Sequence, residues 1–269
     1  MRTKFIVALF LLFLPSIALG DTATNLVAWW RYLASSGTSA VDSSPGAPYT
    51  TTLVNSVAWA AGPYARLKAL DFDGTDDYGY STAGAVLRNG VSNNLTFATW
   101  LWIDASGRND VFNWKSSDGT DEIGFFVNAS SKLEGYVVID SVGGSTVVGA
   151  TTVNTSTWYH IALTKNGNTW TVYLNHVSDG TGSATVTLAN HGSSTFWIGS
   201  NHDSSFLPLA SFNLDGKMAD TRIYNRALSV SDITELHNYR GPAVAPITIF
   251  SMLNQPTPLT FNKMLQVQR

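Results

Sequence analysis

Short β-prone runs follow one another from residue 26 to residue 224, and this pattern limits the chain to a few fold classes. The runs are rich in Val, Ile, Thr, Trp and Tyr, and clusters of Gly, Asn, Asp and Ser separate them. Within the run 158–165, Tyr159, Ile161 and Leu163 fall on one face, as the two-residue period of a strand requires. The predicted strands are Leu26–Tyr32, Ser56–Ala60, Leu67–Asp73, Tyr78–Thr82, Asn94–Ile103, Val111–Trp114, Ile123–Asn128, Leu133–Ile139, Thr146–Ala150, Trp158–Lys165, Thr169–Leu174, Ala184–Leu188, Phe196–Gly199 and Gly216–Tyr224.

These strands are too numerous for one flat open sheet, so the sequence predicts an all-β fold in which two antiparallel sheets form a sandwich. Asn166-Gly167-Asn168 lies between two of the strands and is typical of a tight hairpin. A single short helix is predicted near the C-terminal end, where Ser229 can cap it and Gly241-Pro242 can end it. Its apolar face consists of Ile233, Leu236 and Tyr239.

The first twenty residues have the pattern of a secretory signal peptide. Arg2 and Lys4 precede an apolar run from Phe5 to Leu14, and Ala18-Leu19-Gly20 supplies small residues before a cleavage site at Asp21. The alternative is an N-terminal membrane anchor, but ten strongly apolar residues fall short of the ~20 that span a bilayer. We therefore expect export to the extracellular space, the periplasm or the cell surface.

The remaining chain divides into one domain and a tail. No long polar linker interrupts residues 21–242, so they form one predicted domain. Residues 243–269 differ, because Pro246, Pro256 and Pro258 punctuate apolar pieces such as 247–250. This stretch predicts an extended tail, an additional edge strand or a segment that docks onto a partner subunit.

The composition excludes several function classes. The chain has no Cys, which rules out disulfides, thiolate metal sites and cysteine nucleophiles. The formal net charge is −3, and without the first twenty residues 14 basic side chains face 19 acidic ones, a net charge of −5. This balance lacks the basic footprint of a nucleic-acid-binding protein.

Six motifs in a fixed order resemble the laminin-G-like jelly-roll domains of the concanavalin A-like lectin/glucanase superfamily, which includes the pentraxins. The resemblance implies a jelly-roll sandwich across residues 25–240. It departs from the family at His176, where a Gly usually follows Asn175. The motifs are Leu26–Trp30, Val41–Gly46, Ala69–Gly74, Leu95–Trp100, the hairpin Thr157–Asn175, and the closing pair Phe196–Gly199 and Leu214–Ser229.

The sequence does not favour catalysis. If the resemblance extended to the glycosidases of this superfamily, it would imply carboxylates in a Glu-x-Asp-x-Glu pattern. Hydrolysis needs two carboxyl groups about 5–10 Å apart. Glu122, Glu134 and Glu235 are the three glutamates of the chain, and none lies in that pattern. Asp121 and Glu122 are adjacent and would point to opposite faces of a strand. We therefore expect a protein that is not an enzyme.

Aromatic residues are the candidate sugar platforms. Trp30, Trp100 and Trp158 fall in predicted strands, where bulky rings usually fill the core. Trp59 and Trp114 are predicted to lie closer to loops and are the better candidates for stacking on a glycan.

Calcium is the candidate cofactor, because many of the chain's Asp residues fall in predicted loops and oxygen ligands suit this ion. The resemblance implies a first site at Asp42, Asp73 and Asp220. The alternative is that Asp42 forms an Asx-turn and that Asp220 hydrogen-bonds a neighbouring strand.

A second calcium site is implied by the resemblance to the pentraxin loops that hold calcium at the ligand face. Asp121, Glu122, Asn201 and Asp203 align with those loops, and Asp121 and Asp203 would also contact the ligand. His202 stands where a carbonyl donor is expected. The alternative is a pair of solvated acidic loops.

Three functional hypotheses follow. The leading one is a secreted, non-catalytic recognition module that binds glycans or a glycosylated surface, with calcium dependence as a further expectation. The second is a structural, assembly or adhesin subunit of an extracellular surface or fibre, which uses residues 243–269 as a docking strand. The third, a divergent glycosidase, ranks last.

Overall fold

The computed structural model describes residues 22, 24–45, 49–81, 94–116, 121–139, 142–184, 194–202, 209 and 212–242. The predicted signal peptide (1–20), the tail (243–269) and Asp203 lie outside these residues. The strands are β1 (Leu26–Trp30), β2 (Ser39–Ala40), β3 (Thr51–Val54), β4 (Ala58–Ala61), β5 (Lys68–Asp73), β6 (Tyr78–Ser81), β7 (Asn94–Ile103), β8 (Asn109–Ser116), β9 (Glu122–Val127), β10 (Lys132–Ile139), β11 (Val142–Thr152), β12 (Trp158–Asn166), β13 (Thr169–Leu174), β14 (Val177–Ser183), β15 (Ser194–Ile198) and β16 (Asp215–Tyr224); the helix is α1 (Val230–Asn238).

The strands form two antiparallel sheets, which confirms the predicted sandwich. Sheet I has the order β14-β13-β12-β7-β16-β5-β4, and β1 pairs with β16 beyond the end of β5. Sheet II has the order β11-β10-β9-β8-β15-β6-β3-β2. Neighbours in space are often distant in sequence, so the cohesion of each sheet comes from long-range pairing.

The core lies between the two sheets and is rich in aromatic rings. Trp30 of sheet I stacks on Phe196 of sheet II with 5.1 Å between ring centroids. Phe97 of sheet I stacks on Phe112 of sheet II at 4.5 Å. Such offset pairs add about 0.5–1.5 kcal/mol to the hydrophobic gain of burial. The alternation of each strand turns its other face outward.

Helix α1 covers the outer face of sheet I. Ser229 is its N-cap and forms a capping box with Asp232, as the sequence indicates. Ile233 and Leu236 are buried in a cluster with Ala98 and other residues of that face. The helix ends at Asn238, three residues before Gly241, because Tyr239 already leaves the helical region. The cleft described below opens instead on the outer face of sheet II.

Three strands were not expected from the sequence. β2 and β3 are short, and β14 has the sequence Val-Ser-Asp-Gly-Thr-Gly-Ser, which has low β propensity. β14 forms because Asn175 and His176 both adopt positive φ angles, 47° and 63°, and join it to β13 in a two-residue hairpin. Of the predicted strand Ala184–Leu188, only Ala184 is described, and it follows β14.

Within the described part of the chain, no helix has the length and apolar character needed to cross a membrane.

Candidate functional site

A cleft of about 370 Å³ opens on the outer face of sheet II. Its floor comes from the outward-facing residues of β8 to β11. Its wall comes from the segment that follows β15, and we call the described residues 199–202, 209 and 212–214 the wall segment. Asn201, His202, Leu209 and Phe212 of this segment line the cleft.

The floor has its centre at Tyr136 in β10. Tyr136 pairs directly with Gly124 in β9, and the absence of a side chain at Gly124 leaves room for the tyrosine ring. The ring contacts Phe126 edge to face, with 5.7 Å between centroids. Phe126 is buried, whereas Tyr136 is half-buried, so Tyr136 is the aromatic surface of the floor that a ligand can reach.

Glu122 interacts with several polar groups of the cleft floor. Its Oε1 accepts a hydrogen bond from Asn113 Nδ2 at 2.7 Å and another from the Tyr136 hydroxyl. Lys115 Nζ lies 3.4 Å from the other carboxylate oxygen of Glu122. Lys115 also donates to the backbone carbonyl of His202 at 3.1 Å, which ties the floor to the wall. The charge of Glu122 is therefore balanced within the protein.

Arg108 joins the floor of the cleft to its wall. Its guanidinium binds Asp110 through two hydrogen bonds of 2.7 and 3.0 Å. The guanidinium carbon lies 4.1 Å from the ring centroid of Phe126 and 4.0 Å from that of Phe212. Burial raises the pKa of Asp110, and the hydrogen bonds from Arg108 oppose that rise. Arg108 thus clamps Phe212 of the wall onto Phe126 of the floor.

The wall segment is fixed by buried polar and aromatic contacts. The ring of His202 stacks on Trp197 at 4.3 Å. Asn201 donates to the Tyr136 hydroxyl at 3.4 Å, and its backbone carbonyl accepts from Leu209. The cleft therefore combines amide, hydroxyl and carboxylate groups with aromatic surfaces, the composition expected of a site for a polar ligand with apolar patches.

Two residues of the second predicted calcium site meet in this cleft. Glu122 and Asn201 both line it, and both hydrogen-bond the Tyr136 hydroxyl. Asp121 is fully buried beside the cleft, and its backbone pairs with Ser116. Asp203 lies outside the described residues, so the four-residue site remains a prediction.

The structure corrects the prediction for Trp114. This residue lies in the middle of β8, is 4% exposed and packs in the core between the sheets. Its ring cannot stack on a ligand in this position, because the other sheet covers it. The sequence suggested a short strand near loops, whereas β8 extends from residue 109 to residue 116.

Trp59 also differs from the prediction of a loop platform. It lies in β4, the edge strand of sheet I, and is partly buried against the core. Its indole nitrogen donates to the carbonyl of Gly37 at 3.0 Å. Trp59 therefore belongs to the sheet that does not carry the cleft.

The structure does not bring Asp42, Asp73 and Asp220 into one calcium site. Asp73 pairs with Asp215, and Asp220 lies five residues further along β16. At about 3.3 Å per residue, the backbone positions of Asp73 and Asp220 are about 16 Å apart along the strand direction. At this separation, one Ca²⁺ cannot lie about 2.3–2.6 Å from an oxygen of each of the two carboxylates. The prediction of this shared site is wrong because it ignored the register of β16 against β5.

Asp42 and Asp220 instead have the structural roles given above as the alternative. The Asp42 carboxylate accepts hydrogen bonds from the amides of Trp29, Ser44 and Tyr49 at 2.8–3.1 Å. Asp220 lies 2.9 Å from Arg222 Nη2 and accepts a hydrogen bond from the Trp29 indole at 2.6 Å. Asp73 lies elsewhere, in a turn with Asp76 and Asp77.

The sequence reasoning missed Tyr136, Phe126, Arg108 and Phe212. A signal for the floor is present, because Glu122 and Phe126 alternate around Gly124 and therefore share one face of β9. No local signal identifies Arg108 or Phe212, since their contact joins segments about a hundred residues apart.

A model of the concanavalin A-like lectin/glucanases superfamily matches residues 73–234. No curated protein matches the chain in sequence. The fold is similar to domain 4 of AbnA, a GH43 extracellular arabinanase from Geobacillus stearothermophilus, solved with arabinotriose. That likeness has a TM-score of 0.62 and 19% identity, and it covers 80% of this chain and 98% of the arabinanase domain.

Two further structures share the fold. A heptameric SAP-like pentraxin from Limulus polyphemus has a TM-score of 0.50 and 15% identity over 64% of this chain and 82% of the pentraxin. The binding domain of botulinum neurotoxin serotype D/C has a TM-score of 0.59 and 13% identity over 81% of this chain. The match spans about half of the neurotoxin domain, 52%. The family match, the order of the motifs and the two-sheet sandwich lead to one conclusion: the chain belongs to the concanavalin A-like lectin/glucanase superfamily.

Proposed function

We propose that the protein is an exported, non-catalytic carbohydrate-binding module and that the sheet II cleft is its glycan site. The observation that carries this proposal is the half-buried Tyr136, whose ring is accessible in a cleft lined by hydrogen-bonding groups. Sugars present apolar ring faces and many hydroxyls, so they suit an aromatic surface surrounded by amides and carboxylates. The arabinotriose bound by the arabinanase domain supports a glycan as the ligand class.

The charges of the cleft favour a neutral glycan. Arg108 is paired with Asp110, and Lys115 is paired with Glu122. Glu134 contributes a further carboxylate, which accepts a hydrogen bond from the Asn128 side chain amide. Because Arg108 and Lys115 already have carboxylate partners, an acidic sugar would find no free positive charge among the described residues of the cleft.

The contacts of the cleft glutamates support a non-catalytic role. Glu122 accepts hydrogen bonds from Asn113 and Tyr136, and Lys115 Nζ lies 3.4 Å from its other carboxylate oxygen. Glu134 accepts a hydrogen bond from the Asn128 side-chain amide. Glycoside hydrolysis needs one carboxyl group that donates a proton and a second that acts on the sugar or on water. Within the described residues, both cleft glutamates are instead engaged by groups of the protein.

The test is a glycan array probed with the full chain, followed by calorimetry with arabinotriose and with a sialylated oligosaccharide. We expect binding to neutral oligosaccharides that Tyr136→Ala weakens at least ten-fold. Trp59→Ala is the matched control, because it removes an aromatic side chain from the opposite sheet, and it should bind as the wild type does. Absence of binding to any glycan, or equal losses in the two variants, would contradict the proposal. Preferential binding to sialylated glycans would contradict the neutral-ligand part.

A further inference from the structure

Three carboxylates lie together at the end of β5 and in the turn that follows it. Asp73, Asp76 and Asp77 each offer an oxygen, and these oxygens lie within 4.8 Å of one another. Asp73 and Asp76 are exposed, whereas Asp77 is only 3% exposed. None of the salt bridges formed among the described residues involves any of the three.

One buried oxygen of this cluster, Oδ1 of Asp77, lacks a hydrogen-bond donor among the described residues. Asp77 Oδ2 accepts a hydrogen bond from the Asp73 amide at 3.3 Å. Asp77 Oδ1 is buried and has no hydrogen-bond partner within the described part of the chain. A buried carboxylate oxygen without a partner is costly, so its position beside two further carboxylates calls for a positively charged ligand.

We propose that the turn 73–77, the acidic turn, binds a divalent cation and that this cation is Ca²⁺. The three side chains supply only oxygen donors, which hard cations prefer to the softer transition metals. Ca²⁺ accepts six to eight oxygens in irregular arrangements, so three carboxylates and water molecules can complete its shell. Mg²⁺ requires a near-ideal octahedron and suits this irregular turn less well.

The acidic turn is joined to the wall of the cleft. The Gly74 amide donates to the carbonyl of Leu214 at 3.0 Å, and the Asn213 side chain donates to the carbonyl of Thr75. Asn213 in turn accepts from Ser200 at 2.7 Å. An ion that orders the acidic turn should therefore stabilise the wall segment. This coupling rests on the proposed glycan site, whereas the cation site itself does not.

Calorimetric titration of the chelator-treated full chain with CaCl₂, in the absence of any glycan, tests the cation site. We expect saturable binding that Asp77→Asn weakens at least ten-fold. Asp76→Asn should have a similar effect, and because residue 76 is exposed, this variant should fold normally. Asp179→Asn is the matched control, since it removes a carboxylate charge from β14 and should leave Ca²⁺ binding unchanged. Parallel titrations with MgCl₂ should show weaker binding.

Wild-type protein that does not bind Ca²⁺, or Asp76→Asn and Asp77→Asn variants that bind it as the wild type does, would overturn the proposal. Tighter binding of Mg²⁺ than of Ca²⁺ would overturn the choice of ion. Glycan titrations with and without Ca²⁺ then test the coupling. If the wild type binds Ca²⁺ but no glycan, the proposed function fails and the cation site stands.

Discussion

The ring of Tyr136 occupies the space that a side chain at Gly124 would fill, directly across the pair of strands β9 and β10. A Cβ at position 124 would overlap the ring atoms Cε1 and Cδ1. The glycine therefore allows the ring to lie close to the sheet with its hydroxyl at Glu122. One missing side chain thus determines the shape of the cleft floor.

Gly124→Ala should displace the Tyr136 ring and weaken glycan binding at least ten-fold. The displaced ring should also lower the free energy of unfolding by about 1–3 kcal/mol, the usual cost of overpacking. Urea denaturation and glycan titration measure the two effects. Gly182→Ala is the matched control, because the nearest atom to a Cβ there is 3.4 Å away, an ordinary contact. Similar effects of the two substitutions would contradict this role of Gly124.

His176→Gly should stabilise the protein. His176 has a φ of 63° in the turn between β13 and β14, a conformation that glycine adopts without a steric cost. We expect the free energy of unfolding to rise by about 0.5–1 kcal/mol, reduced by the lost contact with the His237 ring. Gly167→Ala is a control of opposite sign, because Gly167 has a φ of 56° and no described atom lies within 4 Å of a Cβ placed there. A destabilised His176→Gly variant would show that the ring contact outweighs the backbone cost.

Acid should destabilise the fold through His160. Burial, together with His237, Arg222 and His176, lowers the pKa of the His160 imidazole to about 3. The unfolded chain, with a histidine pKa of about 6.5, binds more protons than the folded chain between pH 6.5 and pH 3. The free energy of unfolding should therefore fall as the pH drops below about 6.5, by about 2 kcal/mol at pH 5 from this residue alone.

Urea denaturation of the wild type and of His160→Gln at pH 7.5 and pH 5.0 measures this effect. The variant should lose about 2 kcal/mol less than the wild type between the two pH values. Burial also lowers the pKa of His237. This histidine should therefore keep part of the acid sensitivity in both proteins. Equal losses in wild type and variant would show that His160 does not titrate as described.

Asp220→Asn should destabilise the protein through Arg222 rather than through loss of a metal. Arg222 is 5% exposed and pairs with Asp220, so the neutral variant leaves a buried charge without its carboxylate. We expect a loss of about 3 kcal/mol in the free energy of unfolding. Asn tolerates the φ of 51° at this position, so backbone strain should not contribute. Dependence of that loss on added Ca²⁺ would contradict the structural role of Asp220.

Local patterns predicted much of the architecture. The alternation in Trp158–Lys165 appears as β12, and Ser229 caps α1 with Asp232. Such features depend on a few neighbouring residues, so the sequence alone identifies them. β14 was missed because its pairing depends on the positive φ angles at Asn175 and His176, which residue propensities do not reveal.

The sequence by itself determined the sandwich class, the order of the family motifs and the position of the helix, because these follow from periodicity and capping. Only the tertiary structure decided which side chains share a site. The register of β16 separates Asp73 from Asp220, the second sheet covers Trp114, and Arg108 meets Phe212 across about a hundred residues. The physical reason is that alternation gives every strand two faces, and only the packing of distant segments decides which face is covered and which opens into a cleft.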